Sequence, residues 1–398
     1  MKKYHQLMLL IISIVSLSLF LIYRHEYNRL HYVLEVFNFF GQPCNISDLQ
    51  QTENILSHHD WGPPPVWQEH ESGYIYSAFL TRQNEAKALT LLSDEKLVPR
   101  NCYFWFEDKK KPVIGKFKFS KVMSDENVRL NLYFYICEMS NSEHVPYAVS
   151  FSFKTRKDSE LKKIMLTNSF NHQVNINTTI CVSPSIYSKR RLVEFISYHK
   201  LIGIDSFIFY NRDVPHRLVK IITNLSTRLG LQAAFLPWNF PKGDSLVTRS
   251  VVENDCLLRT FGQTSYAVTL ELNEYIVPLH SYSFNTFLKN TDSESGRISL
   301  PVQKFCIENT DTAKPISMVN TDVSDDYNYN VIVRYIYKNN QRKEDISTYA
   351  VDKGFASIHK YVRCSFEPSK TRKDKSILKF STDLTRSTLF QLLLHNQI

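Results

Sequence analysis

The chain has 398 residues, 43% of them hydrophobic and 22% charged, with a formal net charge of +9. This mixture is typical of a globular protein and excludes a disordered chain, and the length allows more than one hydrophobic core. The basic excess would suit nucleic acid, an acidic membrane surface or a phosphate-bearing substrate. Because no zinc-finger spacing or RNA-binding aromatic motif accompanies the charge, we expect no nucleic-acid partner.

An apolar segment lies close to the N-terminus. Residues 7–23 read LMLLIISIVSLSLFLIY and contain no charged side chain. A helix needs roughly 17–25 such residues to span a bilayer. A cleaved signal peptide is the alternative, but no small-residue cleavage site follows the segment. The sequence therefore predicts a cytosolic tail over residues 1–6, a transmembrane signal anchor over residues 7–23, and a single-pass type II protein with a lumenal C-terminus.

Glycosylation sequons and cysteines fit a lumenal location. Sequons begin at Asn45, Asn177 and Asn224. All seven cysteines follow the apolar segment, at wide spacings that exclude a zinc knuckle or a thioredoxin pair. In an oxidising lumen some of them would pair, leaving at least one unpaired if every bridge is intramolecular. The sequence leaves the pairing open.

Two regions with different patterns follow the apolar segment. Residues 24–72 predict a stem, because residues 63–65 are three prolines and residues 45–59 are mostly polar. Beyond them, short alternating or apolar runs separated by polar turns predict strands and an all-β unit over residues 73–165. The predicted strands cover residues 74–80, 102–106, 130–135 and 147–153.

Strands and helices alternate in the remaining chain. Residues 179–182 predict a strand, and Leu192, Phe195 and His199 then share one face of a helix that Gly203 would end. A strand over residues 206–210, a helix beginning at Ser245 and a strand over residues 266–270 complete the pattern. This alternation predicts an open α/β sheet over residues 177–398, in which ligands bind beyond the carboxyl ends of the strands.

Acidic residues follow the last of these strands directly. The alternation of a strand sends Glu271 and Asn273 to the same side, where their oxygens could hold Mg²⁺ or Mn²⁺ against a diphosphate. Such a metal would stabilise the charge that develops on a leaving nucleoside diphosphate. An ordinary acidic turn that closes a strand is the alternative on spacing alone.

Four motifs, in this order and spacing, resemble glycosyltransferase family 92. They are CVSP at residues 181–184, LVEFISYHKLIGIDSFIFYN at 192–211, NDCLLR at 254–259, and ELNEYIVP at 271–278. The resemblance implies a GT-A-like, Rossmann-like glycosyltransferase domain preceded by a β-rich N-terminal unit and a transmembrane helix. It further implies a Golgi enzyme that transfers a hexose with inversion, galactose from UDP-galactose in known members, to a glycan acceptor, usually with Mn²⁺.

The resemblance also suggests which residues form the site. These candidates are Val182, Ser183, Asn211 and Arg249 for donor binding, Glu271 and Asn273 for metal binding, and Glu274 and His395 for catalysis.

The chain departs from the family pattern in three places. The family's Asp-x-Asp-Glu-Phe reads Glu-Leu-Asn-Glu-Tyr over residues 271–275, so Asn273 lacks the charge of the principal metal-binding Asp and metal affinity should fall. Arg249 stands where the family has Gln, and only His395 remains of a closing His-Tyr-Arg. We therefore keep two hypotheses: an active hexosyltransferase, and a catalytically impaired member that serves as a glycan-binding or scaffolding protein.

Overall fold

The structure is a computed structural model that describes residues 15–19 and most of residues 61–395. Within the second range, it leaves out residues 63, 71–72, 94–97, 126–129, 141–143, 153–160, 169–175, 187, 241–245, 290, 292–293, 309–313, 325–331, 340–346 and 365–370. The predicted cytosolic tail, the sequon at Asn45, the helix start at Ser245 and most of the predicted stem therefore lie outside the described residues.

The predicted membrane anchor is wrong. Only residues 15–19 of the predicted span are described, and they are helical. Within the described ranges, no helix has both the length and the apolar character that membrane crossing requires. This finding corrects the prediction of a single-pass type II protein of a Golgi or other secretory-pathway membrane. That prediction depended on one apolar run at the lower limit of the length needed for a span.

The N-terminal part of the described chain from residue 61 onward is a closed barrel. The sheet order is β1-β2-β3-β6-β5-β4-β7-β8, and a further parallel pairing of β2 with β8 closes the seven strands from β2 to β8. Closure leaves these strands no free edge. The strands are β1 Gln68–His70, β2 Gly73–Arg82, β3 Glu85–Leu92, β4 Asn101–Trp105, β5 Val113–Asp125, β6 Leu130–Glu138, β7 Ala148–Ser152 and β8 Ile164–Asn168.

Strand β2 shows why the barrel strands are apolar on both faces. Ala78 and Leu80 pack inside the barrel, whereas Tyr76 and Phe79 pack against the second half of the molecule. A disulfide joins Cys102 of β4 to Cys137 of β6 over the intervening strand β5. Gly115 lies directly over this bridge, and a Cβ atom there would stand 2.5 Å from the Cys137 Sγ.

The second half of the chain forms a mixed sheet of eleven strands, in the main order β11-β10-β9-β12-β16-β14-β15-β19. Strands β9 to β12 run parallel to one another, and β16 runs antiparallel to both β12 and β14. Strand β14 in turn runs parallel to β17 and to β18. The strands are β9 Ile176–Val182, β10 Ser206–Asn211, β11 Gln232–Pro237, β12 Thr264–Leu270, β13 Glu274–Pro278, β14 Arg297–Cys306, β15 Asp322–Ser324, β16 Val333–Lys338, β17 Thr348–Ala350, β18 Ala356–Val362 and β19 Thr371–Lys373.

The described part of residues 61–395 contains few helices, and most of them are short. They are α1 Lys189–Leu201, α2 His216–Leu229, α3 Leu246–Thr260, α4 Phe284–Lys289, α5 Ile316–Val319, α6 Ser381–Arg386 and α7 Thr388–Leu394. A 3₁₀ turn spans Ser376–Phe380.

The fold prediction, a GT-A-like open α/β domain behind a transmembrane helix, is therefore wrong. Strands dominate the described residues, one of the two sheets closes into a barrel, and the predicted alternation of strand and helix extends only from β9 to β12. The error has a physical reason. Strands β13 to β19 pair with partners far away in sequence, and such non-local pairing leaves little local pattern from which to predict them.

Helix α3 fastens the sheet to the barrel through a buried polar group that we call the junction cluster: Ser77, Tyr210, Asp255 and Arg259. The Asp255 carboxylate accepts hydrogen bonds from the Ser77 hydroxyl at 2.6 Å and the Tyr210 hydroxyl at 2.5 Å. Arg259 donates to the same carboxylate at 2.9 and 3.1 Å and to the Trp61 carbonyl at 2.8 Å. Every charged group in this cluster is thus paired.

Two further disulfides cross-link the second half. Cys181 of β9 is bonded to Cys256 of α3, and Cys306 of β14 is bonded to Cys364. Disulfides persist in oxidising environments, so the three bridges are consistent with a secretory or lumenal protein. Cys44 lies outside the described residues.

Candidate functional site

The parallel strands end together at one edge of the sheet, here called the carboxyl edge. Val182 of β9 lies opposite both Phe209 of β10 and Leu270 of β12, so the residues that follow these strands are neighbours. The Ser183 amide donates a 2.8 Å hydrogen bond to the Leu270 carbonyl, which places Ser183 beside Glu271. This is the edge at which ligands bind in sheets with parallel strands.

A tight turn connects β12 to β13 and places two carboxylates at this edge. The Glu274 amide donates to the Glu271 carbonyl at 3.0 Å, and the Glu271 amide donates to the Glu274 side chain at 3.1 Å. The Glu274 side chain is fully buried, whereas the Glu271 side chain keeps 31% of its surface exposed. The two carboxylates therefore differ in their access to solvent.

Three cations surround these carboxylates and complete what we call the edge cluster: Arg249, Glu271, Glu274, Arg334 and Lys360. Arg334 Nη2 lies 2.5 Å from Glu274 Oε1. Lys360 Nζ lies 2.8 and 2.9 Å from the two Glu271 oxygens and 3.3 Å from Glu274 Oε1. Arg249 Nη1 lies 3.7 Å from an oxygen of each carboxylate. Three cations against two anions leave the cluster with a net charge of +1.

The cations fix the protonation state of Glu274. Burial by itself would raise the pKa of this carboxyl, but the charges of Arg334, Arg249 and Lys360 outweigh burial and lower the pKa to about 2. Burial lowers the pKa of Arg249, and the Glu274 and Glu271 charges oppose that shift. Glu274 is therefore ionised at neutral pH.

Two polar groups at the carboxyl edge have no hydrogen-bond partner among the described residues. Arg249 Nη2 donates to the Thr269 carbonyl at 2.6 Å, but its Nη1 makes no hydrogen bond. The buried Ser183 hydroxyl likewise makes none. Buried polar groups are paired in the great majority of cases, so these two groups remain available to a ligand at the carboxyl edge.

The predicted metal ligands do not form a metal site in this arrangement. Both Glu271 oxygens already accept hydrogen bonds from Lys360, and the Asn273 amide donates to the Tyr361 carbonyl at 3.0 Å. Across the described ranges, no three His, Cys, Asp or Glu side chains lie close enough together to hold a metal ion. Divalent cations such as Mn²⁺ need several free oxygen ligands, so the residues present do not fit one.

The other predicted site residues have different surroundings. Val182 is buried in the core. Asn211 lies at the carboxyl edge but binds the backbone of Val214 through both its side-chain oxygen and nitrogen. His395 is exposed at the end of α7, and no contact connects it to the edge cluster within the described chain. The structure thus brings Ser183, Arg249, Glu271 and Glu274 together, but not His395.

The sequence motifs did not identify Arg334 or Lys360 as site residues. Arg334 lies 60 positions after Glu274, on a strand that local pattern did not predict. Lys360 lies directly opposite Glu274 in the β13–β18 ladder, so the two side chains share a face of the sheet. Its neighbour His359 points to the other face and stacks on Phe305 with ring centroids 4.2 Å apart. The strand register therefore selects Lys360 rather than His359 as the contact of the edge cluster.

A surface cleft of about 390 Å³ lies elsewhere, at the far end of β13. Its lining includes His280, Tyr349, Asp352 and Phe355, and none of the predicted site residues. The edge cluster, not this cleft, is where the predicted residues meet.

These features define a class of site: a net positive, partly open cluster at the carboxyl ends of parallel strands, suited to an anionic ligand. Comparison with known proteins gives the family. The family model for glycosyltransferase family 92 matches residues 176–379, just over half of the chain, and the chain belongs to that family. The matched range contains every residue of the edge cluster. No curated protein matches the chain.

Proposed function

We propose that this protein transfers a hexose, galactose from UDP-galactose, to a glycan acceptor with inversion at the anomeric carbon. Membership of family 92 implies glycosyltransferase activity in general and binding of a sugar donor and an acceptor. The donor sugar, the acceptor and the stereochemistry are our inference. The observation that supports it best is the net positive edge cluster, because a nucleotide sugar carries its negative charge on the diphosphate.

In the proposed reaction, an oxygen of the acceptor hydroxyl attacks the anomeric carbon of the hexose from the side opposite the diphosphate. The bond between that carbon and the diphosphate oxygen breaks, and UDP leaves with the electron pair. Arg249 would stabilise the charge on the leaving diphosphate, as fixed donors do at sites of developing charge.

The hydroxyl proton must pass to a base. Glu274 was predicted for this role by its position, but a buried carboxylate with a pKa of about 2 that is paired with Arg334 is a poor proton acceptor. Glu271 is better placed, because it lies on the same edge and reaches solvent. We therefore assign the proton to Glu271 in this proposal.

A second candidate function is binding without transfer. It is favoured by one specific observation: both carboxylates of the edge cluster are already paired with cations. Such a member would bind a nucleotide or a glycan through the same edge and serve beside an active transferase.

Transfer and binding can be separated with one variant. The protein would be incubated with UDP-galactose and a panel of glycan acceptors, and the products measured by mass spectrometry. Glu271→Gln should lower transfer by about a hundredfold or more, the usual effect of losing a general base, while UDP still binds. Glu107→Gln changes an exposed carboxyl on the barrel and is the matched control. UDP binding without transfer by the unaltered protein would favour the second function.

A further inference from the structure

Lys360 occupies the position between the two carboxylates of the edge cluster. Its ammonium lies within 3.3 Å of three carboxylate oxygens, two from Glu271 and one from Glu274. An ammonium group has three donors, so it can direct one toward each oxygen. The side chain is only 14% exposed, which means that the charge is enclosed rather than solvated.

The fold holds this ammonium in place. Lys360 is paired with Glu274 in the antiparallel ladder of β13 and β18, and β18 is also paired with β14 on its other side. A strand with neighbours on both sides has a strongly specified register, because a slip of one residue would turn every side chain to the other face. A slip at β18 would replace Lys360 with His359 or Tyr361.

We propose that the Lys360 ammonium is a built-in cation that takes the place of a divalent metal, so that the carboxyl edge binds a diphosphate without metal. The proposal rests on the donor site proposed above, and it goes further by naming what neutralises the diphosphate. The carboxylates that would attract a metal instead hold Lys360, and the Nη1 of Arg249 lies 3.7 Å from both carboxylates without making a hydrogen bond.

Charge supports the same assignment. The two carboxylates alone would repel a diphosphate, but with Arg334, Arg249 and Lys360 the cluster has a net charge of +1. Removing the Lys360 charge would bring the cluster to zero. Lys360 therefore supplies the excess positive charge of the five residues in the edge cluster, while the Glu253 carboxylate acts on Arg249 and Arg334 from outside it.

The first test is calorimetric titration of UDP into the full chain, once with Mn²⁺ and once with EDTA. The proposal predicts affinities within about twofold of each other in the two buffers. Lys360→Met should weaken UDP binding in EDTA about tenfold, whereas Lys373→Met, which removes an exposed charge on β19, should leave it unchanged. UDP binding that is at least tenfold tighter with Mn²⁺ would overturn the proposal and leave the proposed function standing. Absence of UDP binding in both buffers would overturn both.

The second test needs no nucleotide. Lys360→Glu would place a third carboxylate beside Glu271 and Glu274, so Mn²⁺ should raise the melting temperature of this variant and not that of the unaltered protein. A rise of equal size in the unaltered protein would show that Lys360 does not exclude the metal, and would overturn the proposal. If Lys360→Glu does not fold, the response of the unaltered protein to Mn²⁺ decides alone.

Discussion

Helix α3 contributes an arginine to each of two ionic clusters, one closed to solvent and the other partly open. At its C-terminal end, Arg259 belongs to the junction cluster, where the Arg259 and Asp255 side chains are both 0% exposed and every charged group is paired. At its N-terminal end, Arg249 belongs to the edge cluster, where its side chain is 26% exposed and Nη1 makes no hydrogen bond among the described residues.

The difference separates a structural ion pair from a site. In a closed cluster every donor already has an acceptor, so no group remains to bind a ligand. Removing one member of such a cluster lowers the stability of the fold. An open cluster with an excess cation and a donor that makes no hydrogen bond can still accept a ligand. Both motifs, residues 254–259 and 271–278, belong to the same family pattern, so the motifs alone do not reveal this division.

The largest expected effect lies at the junction cluster. Arg259→Leu leaves the Asp255 carboxylate buried without a countercharge and should lower the free energy of unfolding by about 3–5 kcal/mol. Arg249→Leu removes one charged hydrogen bond to the Thr269 carbonyl and should cost less, about 1.5–3 kcal/mol, because Arg334 and Lys360 still neutralise the buried Glu274 carboxylate. Urea unfolding followed by fluorescence measures both. If both variants lose the same free energy of unfolding, the distinction between the two clusters is wrong.

A smaller effect is expected from His359, which lies beside the edge cluster in sequence but faces the core. Burial lowers its pKa to about 4, an effect that Asp374 opposes and Arg372 reinforces. The unfolded chain therefore binds a proton that the folded protein does not. The contribution of neutral His359 to the free energy of unfolding is fully present above pH 6.5. It is lost as the pH falls toward 4, and the total loss is on the order of 3 kcal/mol.

His359→Phe should remove this part of the acid sensitivity, because Phe keeps the stacking on Phe305 and cannot take up a proton. The measurement is the urea midpoint between pH 7 and pH 4 for both proteins. Some dependence of stability on pH should remain in His359→Phe, because burial also lowers the pKa of His199, to about 3. Parallel pH curves for the two proteins would exclude His359 as the source.

The sequence predicted the parts of the molecule that local pattern encodes. The strands around residues 179–182, 206–210 and 266–270 are present, because their apolar runs are bounded by turn residues and alternate with helices. The same residues led to the carboxyl edge and to Glu271. Local pattern could not reveal that the barrel closes, since closure depends on the pairing of β2 with β8.

The residues that form the site were harder to predict than the location of the site in the fold. Glu271 and Asn273 were expected to hold a metal because their types and spacing suit one. The cations that neutralise Glu271 and Glu274 come mostly from β16 and β18, more than 50 residues later, and reach the edge only through strand register. A short motif contains no information about such partners.

The most direct test of the donor site at the carboxyl edge is calorimetric titration of UDP-galactose into the unaltered protein, Arg249→Leu and Arg228→Leu. Arg228 is exposed in the last turn of α2 and serves as the matched control. If the edge cluster binds the donor, Arg249→Leu should weaken binding about tenfold or more, since a hydrogen bond to a charged group contributes roughly 1.5–3 kcal/mol, and Arg228→Leu should not. Equal affinity in all three proteins, or no binding to any, would contradict this assignment.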